Sequence, residues 1–411
     1  MVMLPDPTVI AENLIDTINK HEGKIHAFTQ YNPEQIRRDA AYLSAGPLTG
    51  MSVGVKDIVE TEAYFTEYGS GIYKNNQSRA DAACVTLLKQ AGALVAGKTV
   101  TTEFAFFQPG PTVNPYDTAR TPGGSSSGSA AAVACGMVDI GIASQTAASL
   151  TRPASYCGIV GFKPSYARYN AAGVKYLAPS FDALGVVTRD VTSAIKADNV
   201  LKGPKPASVE LPLQKPKRIG FCKTPWWSQG DADMHQALQS AADLFGQHTS
   251  LEEVDLADFE EGADLHLTIM SYEAAQSLSW EYTAKREQIS PQVAALIKAG
   301  QAITRQDYEE ALAKAQNLRQ KADILFETYD VLLAPAAPGV APLLEEGTGS
   351  PLFSRLWTLL YLPSLTLPGM VNKAGLPIGV QFLGRYGADE ALLSYGLWAE
   401  QILPDRPLCS G

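Results

Sequence analysis

Histidine is scarce in this chain. The 411 residues include five histidines, which are His21, His26, His235, His248 and His266. None of them lies in a glycine- or serine-rich stretch, and the G-x-S-x-G turn that carries the nucleophile of many serine hydrolases is absent. A Ser-His-Asp arrangement is therefore disfavoured. A serine nucleophile still needs a positioned base, which leaves lysine as the candidate.

Cysteines are few, and clustered basic residues and long apolar runs are missing. Five scattered cysteines indicate a reducing, cytoplasmic environment and no zinc site. The net charge is −10, and no Lys/Arg cluster contains interleaved aromatic residues, so neither nucleic acid nor an anionic membrane is expected as a partner. No run is long enough to span a membrane, and the first residues lack the pattern of a signal peptide.

Lys56 has the most apolar flanks of any lysine in the chain. It lies within residues 51–59, a run of mostly apolar residues that predicts a buried strand. A lysine acts as a base only when it is neutral, and its ordinary pKa is about 10.4. Burial lowers that pKa because it disfavours the charged form. The alternative is a lysine at the exposed end of a strand, since lysines are rarely buried.

Residues 123–129 form a glycine- and serine-rich run with the sequence GGSSSGS. The run leads directly into residues 130–138, an alanine-rich stretch that predicts a helix. A glycine-rich turn that opens a buried helix brings backbone N–H groups and small hydroxyls into one space. The alternative is a flexible linker, which has a similar composition.

Several short motifs accompany these two features. They are residues 54–57 (GVKD), 123–129, 144–149 (SQTAAS), 152–154 (RPA), Gly158 and 161–164 (GFKP). Together they resemble the signature region of the amidase signature family, whose members cut C–N amide bonds with a Ser–Ser–Lys triad. The resemblance extends from about residue 52 to about residue 403 and is densest over residues 52–164.

The resemblance implies a role for each matching residue. Lys56 corresponds to the base, Ser125 to the serine that bridges base and nucleophile after a cis peptide bond, and Ser149 to the nucleophile. The oxyanion hole would be formed by the backbone N–H groups of Thr146, Ala147, Ala148 and Ser149. Taken without the resemblance, Ser149 is more readily interpreted as a helix N-cap or a small buried residue.

The residues around Ser149 depart from the usual family pattern, D-T-G-G-S-I-R. Gln145 replaces the acid and Thr151 replaces the arginine, so neither charge of that pair is left alone in a buried site. Ala147 and Ala148 replace the two glycines. This replacement requires an ordinary φ at Ala148 and adds a methyl group beside the acyl site.

An arginine stands one place later than usual, at Arg152. The resulting S-x-x-R-P-A arrangement resembles the malonamidase-like branch of the family, in which this arginine holds a substrate carboxylate. The guanidinium group is suited to bidentate capture of a carboxylate. The alternative is a structural arginine that pairs with a nearby acid.

Alternating apolar strands and helices predict the α/β class, with a sheet covered by helices. The resemblance implies that this fold is an α/β/α sandwich with a large mixed β-sheet. Helices are predicted over residues 7–20, 80–91, 233–248, 263–285 and 306–328, and buried strands over 53–59, 93–97, 138–143, 158–163, 218–222, 329–335 and 375–384. A single amidase domain is expected over residues 1–411, with a signature core at about 52–200 and a helical substrate-side region at about 218–328. Residues 203–217, rich in proline and lysine, are expected to connect two halves.

These inferences predict a cytoplasmic amidase that hydrolyses the C–N bond of a small amide through an acyl-enzyme. Binding of a carboxylate by Arg152 would make the substrate an acidic amide. No metal or organic cofactor is implied, and a homodimer is expected from the family resemblance. Two alternatives stay open: the amidase subunit of a tRNA-dependent amidotransferase, and a catalytically weak or inactive scaffold.

Overall fold

Eleven strands form one sheet in the computed structural model, which describes residues 6–205 and 209–406. In chain order the strands are β1 Phe28–Tyr31, β2 Ser52–Lys56, β3 Leu94–Thr99, β4 Ile140–Gln145, β5 Val160–Lys163, β6 Ala183–Thr188, β7 Arg218–Phe221, β8 Ser250–Glu253, β9 Val331–Pro335, β10 Ser364–Val371 and β11 Pro377–Leu383. Their order across the sheet is β1-β3-β2-β4-β6-β5-β10-β11-β9-β7-β8. β2 runs parallel to β3 and β4, and β7 runs parallel to β8 and β9, whereas the other neighbours are antiparallel.

The same part of the chain contains thirteen α-helices. They are α1 Pro7–Ile25, α2 Pro33–Ala40, α3 Ala83–Gln90, α4 Ser127–Ala134, α5 Thr151–Tyr156, α6 Val191–Leu201, α7 Ala232–Gly246, α8 Gly262–Ser277, α9 Ser279–Ala284, α10 Pro291–Gln301, α11 Arg305–Thr328, α12 Leu352–Leu359 and α13 Asp389–Ile402. Strands β2, β4 and β6 are buried along their whole length, which requires cover on both faces of the sheet. The predicted α/β sandwich with a large mixed sheet is confirmed. No described helix combines the length and the hydrophobicity that a membrane span requires.

The strand predicted over residues 53–59 is shorter than expected. It ends at Lys56, where the backbone turns because the N–H groups of Ile58 and Val59 both donate to the Lys56 carbonyl. Lys56 is therefore the last residue of β2, and its side chain lies at the carboxyl end of the strand.

The prediction of a single helix over residues 263–285 is wrong. The segment divides into α8 and α9 at Leu278, whose φ of −105° and ψ of 21° are not helical. The apolar pattern continues across the break, so the pattern alone does not reveal it. The connection predicted over residues 203–217 includes residues 206–208, which lie outside the described residues.

Two parallel strands and two helices place the signature residues at one edge of the sheet. β2 ends at Lys56 and β4 ends at Gln145, and neighbouring parallel strands have their carboxyl ends on the same side. Helix α4 begins two residues after Ser125, and helix α5 begins two residues after Ser149. The four elements therefore bring Lys56, Ser125 and Ser149 to the same region.

Helix α4 is buried at all of its positions, and its small residues allow close packing. Gly128 shows how close this packing is. A Cβ atom added there would lie 2.1 Å from the Ala27 carbonyl oxygen and 2.3 Å from the Val100 nitrogen. A larger residue would push α4 away from its neighbours, and Ser125, which lies just before the helix, would move with it.

Candidate active site

The Lys56 ammonium group is fully buried and contacts two serines. Its Nζ donates to Ser125 Oγ at 2.7 Å and to Ser144 Oγ at 2.8 Å. Burial lowers the pKa of Lys56 to about 7, although the nearby negative charge of Asp182 acts in the opposite direction. A lysine with this pKa is partly neutral near neutral pH and can accept a proton there.

Ser125 follows two glycines, and the peptide bond between Gly124 and Ser125 is cis. The Gly124 carbonyl accepts a hydrogen bond from Arg152 Nη2 at 2.6 Å. Gly123 has a φ of +84°, a conformation that glycine adopts more easily than other residues. The hydrogen bond from Arg152 fixes the carbonyl that directly precedes Ser125, whose hydroxyl meets Lys56.

The carbonyl groups of residues 146–149 are all hydrogen-bonded within the protein. The Thr146 carbonyl contacts His266 Nε2 at 2.8 Å, and the Ala147 carbonyl accepts from Thr358 Oγ1 at 2.9 Å. The Ala148 and Ser149 carbonyls each accept a backbone N–H at 3.1 Å, from Arg152 and from Ser126 respectively. This loop is therefore fixed by contacts from several separate parts of the chain.

The N–H groups of the same loop have no such partners. Among the described residues, none accepts a hydrogen bond from the backbone N–H of Ala147, Ala148 or Ser149. Neither alanine is among the described residues with positive φ, so the condition that the sequence imposes on Ala148 is met. Unpartnered backbone donors beside a serine are groups that can stabilise a negatively charged oxygen.

Gln145 connects the loop to helix α5 through hydrogen bonds between neutral groups. Its Oε1 accepts from the N–H groups of Leu150 and Thr151 and from the Thr151 hydroxyl, at 3.1, 3.0 and 3.0 Å. Its Nε2 donates to Thr358 Oγ1 at 3.2 Å. The paired replacement of an acid and an arginine therefore results in a neutral, hydrogen-bonded arrangement.

A small cavity brings the two signature serines together. Its volume is about 20 Å³, and it is lined by Ala105, Phe106, Phe107, Ser125, Thr146, Ala147, Ala148, Ser149, Arg152, Leu177, Met270, Pro351 and Arg355. Within the described chain, no hydrogen bond joins the Ser125 and Ser149 hydroxyls directly. The structure thus places both serines on one cavity, with Ser125 in contact with Lys56.

Arg152 also lines this cavity, but both of its Nη groups donate to carbonyl groups of the protein. Nη1 donates to the Gly349 carbonyl at 2.8 Å, and Nη2 donates to the Gly124 carbonyl. Nε is buried and has no hydrogen-bond partner. Burial lowers the pKa of Arg152 to about 10. The alternative of pairing with a nearby acid is not seen among the described ion pairs.

The sequence predicts no role for three residues of this region, Ser144, Asp182 and Arg355. Ser144 contacts Lys56, and its position two residues after Ile142 on β4 puts both on one face of the strand. Asp182 accepts a hydrogen bond from Thr146 Oγ1, and burial raises its pKa to about 6. Arg355 reaches the cavity from helix α12, and no motif in the sequence marks it.

The described residues contain no group of three or more His, Cys, Asp or Glu side chains that could hold a metal ion. The polar groups around the cavity are hydroxyls, backbone N–H groups and two arginines. This set can activate a hydroxyl, stabilise an oxyanion and attract an anionic ligand.

Comparisons with known proteins identify the family of this chain. The family model described as Amidase matches residues 10–393. The A subunit of the glutamyl-tRNA(Gln) amidotransferase of Geobacter sp. (strain M21) is 32% identical, and the alignment covers 92% of this chain and 90% of that protein.

Solved structures show the same fold. A crystal structure of an amidase superimposes with a TM-score of 0.88 at 29% identity, covering 97% of this chain and 96% of that one. A chain from an inhibitor-bound vestigial complex, related to the origins of an s-triazine catabolic enzyme, superimposes with a TM-score of 0.88 at 26% identity, covering 99% and 97%. The chain belongs to the amidase family, and it is an enzyme that acts on amide C–N bonds.

Proposed function

We propose that the protein hydrolyses the C–N bond of a small amide through an acyl-enzyme on Ser149. The observation that carries this proposal is the 2.7 Å contact between buried Lys56 and Ser125, on a cavity that Ser149 also lines. A lysine whose pKa is lowered to about 7 is suited to act as a general base. No cofactor takes part in the proposed reaction.

In the acylation step, neutral Lys56 takes a proton from Ser125, and Ser125 takes the proton of Ser149. Rotation of a serine side chain would close the contact between the two hydroxyls. The Ser149 oxygen attacks the amide carbon, and the N–H groups of residues 146–149 stabilise the negative oxygen. The proton returns from Lys56 through Ser125 to the nitrogen, and ammonia or an amine leaves.

In the deacylation step, water loses a proton along the same path and attacks the acyl carbon. The acid leaves and the Ser149 hydroxyl is restored. The small cavity and the methyl group of Ala148 favour a small acyl group. Arg152 would contact a substrate carboxylate through its buried Nε, which has no hydrogen-bond partner in the protein.

The test is to trap the acyl group. The enzyme is incubated with a slow amide substrate, and adducts are located by intact mass and peptide mapping, with hydroxylamine as a competing nucleophile. The adduct is expected on Ser149 and is expected to be lost in Ser149→Ala. Ser127→Ala is the control, since Ser127 lies close to the site but outside the cavity lining. An adduct on Cys157 would overturn the assignment.

The second candidate is the amidase subunit of a tRNA-dependent amidotransferase. The curated relatives favour it over the first candidate, since the A subunits of the glutamyl-tRNA(Gln) amidotransferases of Geobacter sp. and Trichlorobacter lovleyi are both 32% identical. Gln145, Thr151 and the two alanines oppose it, because such subunits usually keep D-T-G-G-S and the arginine. The expectation that no nucleic acid is involved applies to the first candidate alone.

Purification under native conditions separates these candidates. An amidotransferase subunit would co-purify with a tRNA-binding partner, and the partner would raise ammonia release. A free-standing amidase would release ammonia at full rate alone. Absence of turnover in both settings would favour an inactive scaffold. The homodimer stays a prediction, which light scattering can test.

A further inference from the structure

Arg355 has an unusual environment for an arginine. It lies on helix α12, on the wall of the cavity that Ser125 and Ser149 share. Its Nε is buried and has no hydrogen-bond partner, and none of the ion pairs among the described residues includes Arg355. The acid that influences it is Asp264, which acts on it through charge alone and is itself exposed.

The cavity has positive charge that no lining residue neutralises. Arg152 and Arg355 both line it, and no aspartate or glutamate does so among the described residues. The two guanidinium groups are close enough for Arg355 to lower the pKa of Arg152 by repulsion, in addition to the larger effect of burial. Unpaired like charges whose N–H groups are partly buried are costly, and a bound anion lowers that cost.

The two arginines are not equivalent. Arg152 uses its Nη groups to hold the Gly124 and Gly349 carbonyls, and thereby positions the peptide before Ser125. Arg355 donates no hydrogen bond to any described residue, and it reaches the cavity from a distant part of the sequence, close to Pro351. Arg355 therefore has all of its donors available to a ligand, whereas Arg152 has Nε as a second contact to the same carboxylate.

We propose that Arg355 binds the carboxylate of the substrate and makes the enzyme selective for short acidic amides, such as half-amides of dicarboxylic acids. This inference rests on the proposed amide hydrolysis. A guanidinium group offers paired N–H donors that match the two oxygens of a carboxylate. Arg355 and Ser149 line the same cavity, so one short molecule can place its carboxylate at Arg355 and its amide carbon at Ser149.

The experiment compares two substrates of equal length, succinamate and the neutral diamide succinamide. Ammonia release is measured for the wild type, Arg355→Met and the control Arg319→Met. Arg319 is also partly buried and has an unpartnered Nη2, but it lies outside the cavity lining. Thermal unfolding of each variant establishes that it is folded.

The wild type is expected to prefer succinamate. Arg355→Met should lower kcat/KM for succinamate by about 10- to 100-fold, the range expected for lost hydrogen bonds to a charged group, and should change succinamide little. Arg319→Met should keep the wild-type ratio of the two substrates. Equal losses on both substrates in Arg355→Met, or no loss on either, would overturn the inference.

A binding measurement keeps the test independent of turnover. Succinate, the acid released from succinamate, is titrated into the wild type and Arg355→Met by calorimetry. Binding by the wild type that weakens at least about tenfold in the variant supports the inference, and equal or absent binding contradicts it. If the wild type releases no ammonia but shows this difference, the proposed function fails while the anion site stands. If the wild type releases ammonia equally from succinamate and succinamide, the proposed function stands and the anion site at Arg355 fails.

Discussion

Gln145 accepts a hydrogen bond from the Thr151 hydroxyl at 3.0 Å, at the positions where the usual family pattern has an acid and an arginine. The same oxygen accepts two backbone N–H groups at the start of helix α5. The amide nitrogen of Gln145 donates to Thr358, which in turn donates to the Ala147 carbonyl. One neutral side chain therefore joins the loop 146–149 to helices α5 and α12.

A charge at this position should weaken the structure. In Gln145→Glu the carboxylate has no N–H to donate to Thr358, so the hydroxyl of Thr358 must choose between the carboxylate and the Ala147 carbonyl. The free energy of unfolding at pH 8 is expected to fall by about 2 kcal/mol. Urea denaturation measures this change, and Gln301→Glu on the exposed end of helix α10 serves as the control.

The effect of Gln145→Glu should depend on pH. Burial would raise the pKa of the introduced carboxyl group in the folded state above its unfolded value of about 4.3, so the folded state would favour the protonated form. The loss of stability is then largest above the folded-state pKa and shrinks as the pH falls towards the unfolded value. A loss that grows on acidification would contradict this account.

Lys56 should set the acidic limb of the pH profile. Its pKa is lowered to about 7, and only the neutral amine can accept a proton. Activity is therefore expected to rise about tenfold per pH unit below about pH 7 and to level off above it. Lys56→Met should lower kcat by at least about 10³-fold and stay folded by circular dichroism. A profile that breaks at about pH 4 to 5 would show that a carboxyl group is the base.

Ser144 is expected to orient the Lys56 side chain. It accepts a hydrogen bond from Nζ at 2.8 Å, next to the contact with Ser125. Ser144→Ala should lower kcat by about 10-fold and leave KM unchanged, because an orienting bond acts on the chemical step. Steady-state kinetics test this prediction. A rise in KM at constant kcat would indicate substrate binding instead.

Asp182 should influence both the loop and the base. It accepts hydrogen bonds from the Thr146 hydroxyl and from the N–H groups of Leu177 and Ala178, and its charge raises the pKa of Lys56. Asp182→Asn removes that charge, so the protonated form of Lys56 is less stable and the pKa of Lys56 falls further. The acidic limb of the pH–rate profile is expected to move to lower pH while kcat falls. A shift to higher pH would rule out the electrostatic coupling.

The parts of the site that lie in short, continuous motifs could be predicted from the sequence. Lys56, Ser125 and Ser149 lie in such motifs, and apolar runs predict the two strands β2 and β4, although not their ends at Lys56 and Gln145. Arg355 could not be predicted, because it reaches the cavity from a helix about two hundred residues further along the chain, in a stretch with no distinctive pattern.

The contacts of Arg152 could not be predicted from the sequence either. Its Nη groups bind backbone carbonyls. Every residue has a backbone carbonyl, so the sequence does not indicate which ones accept these hydrogen bonds. The break at Leu278 is a similar case, since the apolar spacing continues across it. These features depend on tertiary packing between distant parts of the chain, whereas each motif is a short run of consecutive residues.

The contacts of the loop 146–149 also bear on how the enzyme becomes active during folding. The Thr146 carbonyl is held by His266 and the Ala147 carbonyl by Thr358, partners that lie 120 and 211 residues away in the chain. Contacts of such sequence separation form late, because the chain must first lose the entropy of closing long loops. The contacts that fix this loop should therefore form only after helices α8 and α12 have docked, and a nascent chain that ends before Thr358 would hold Ser149 in a loop that lacks them.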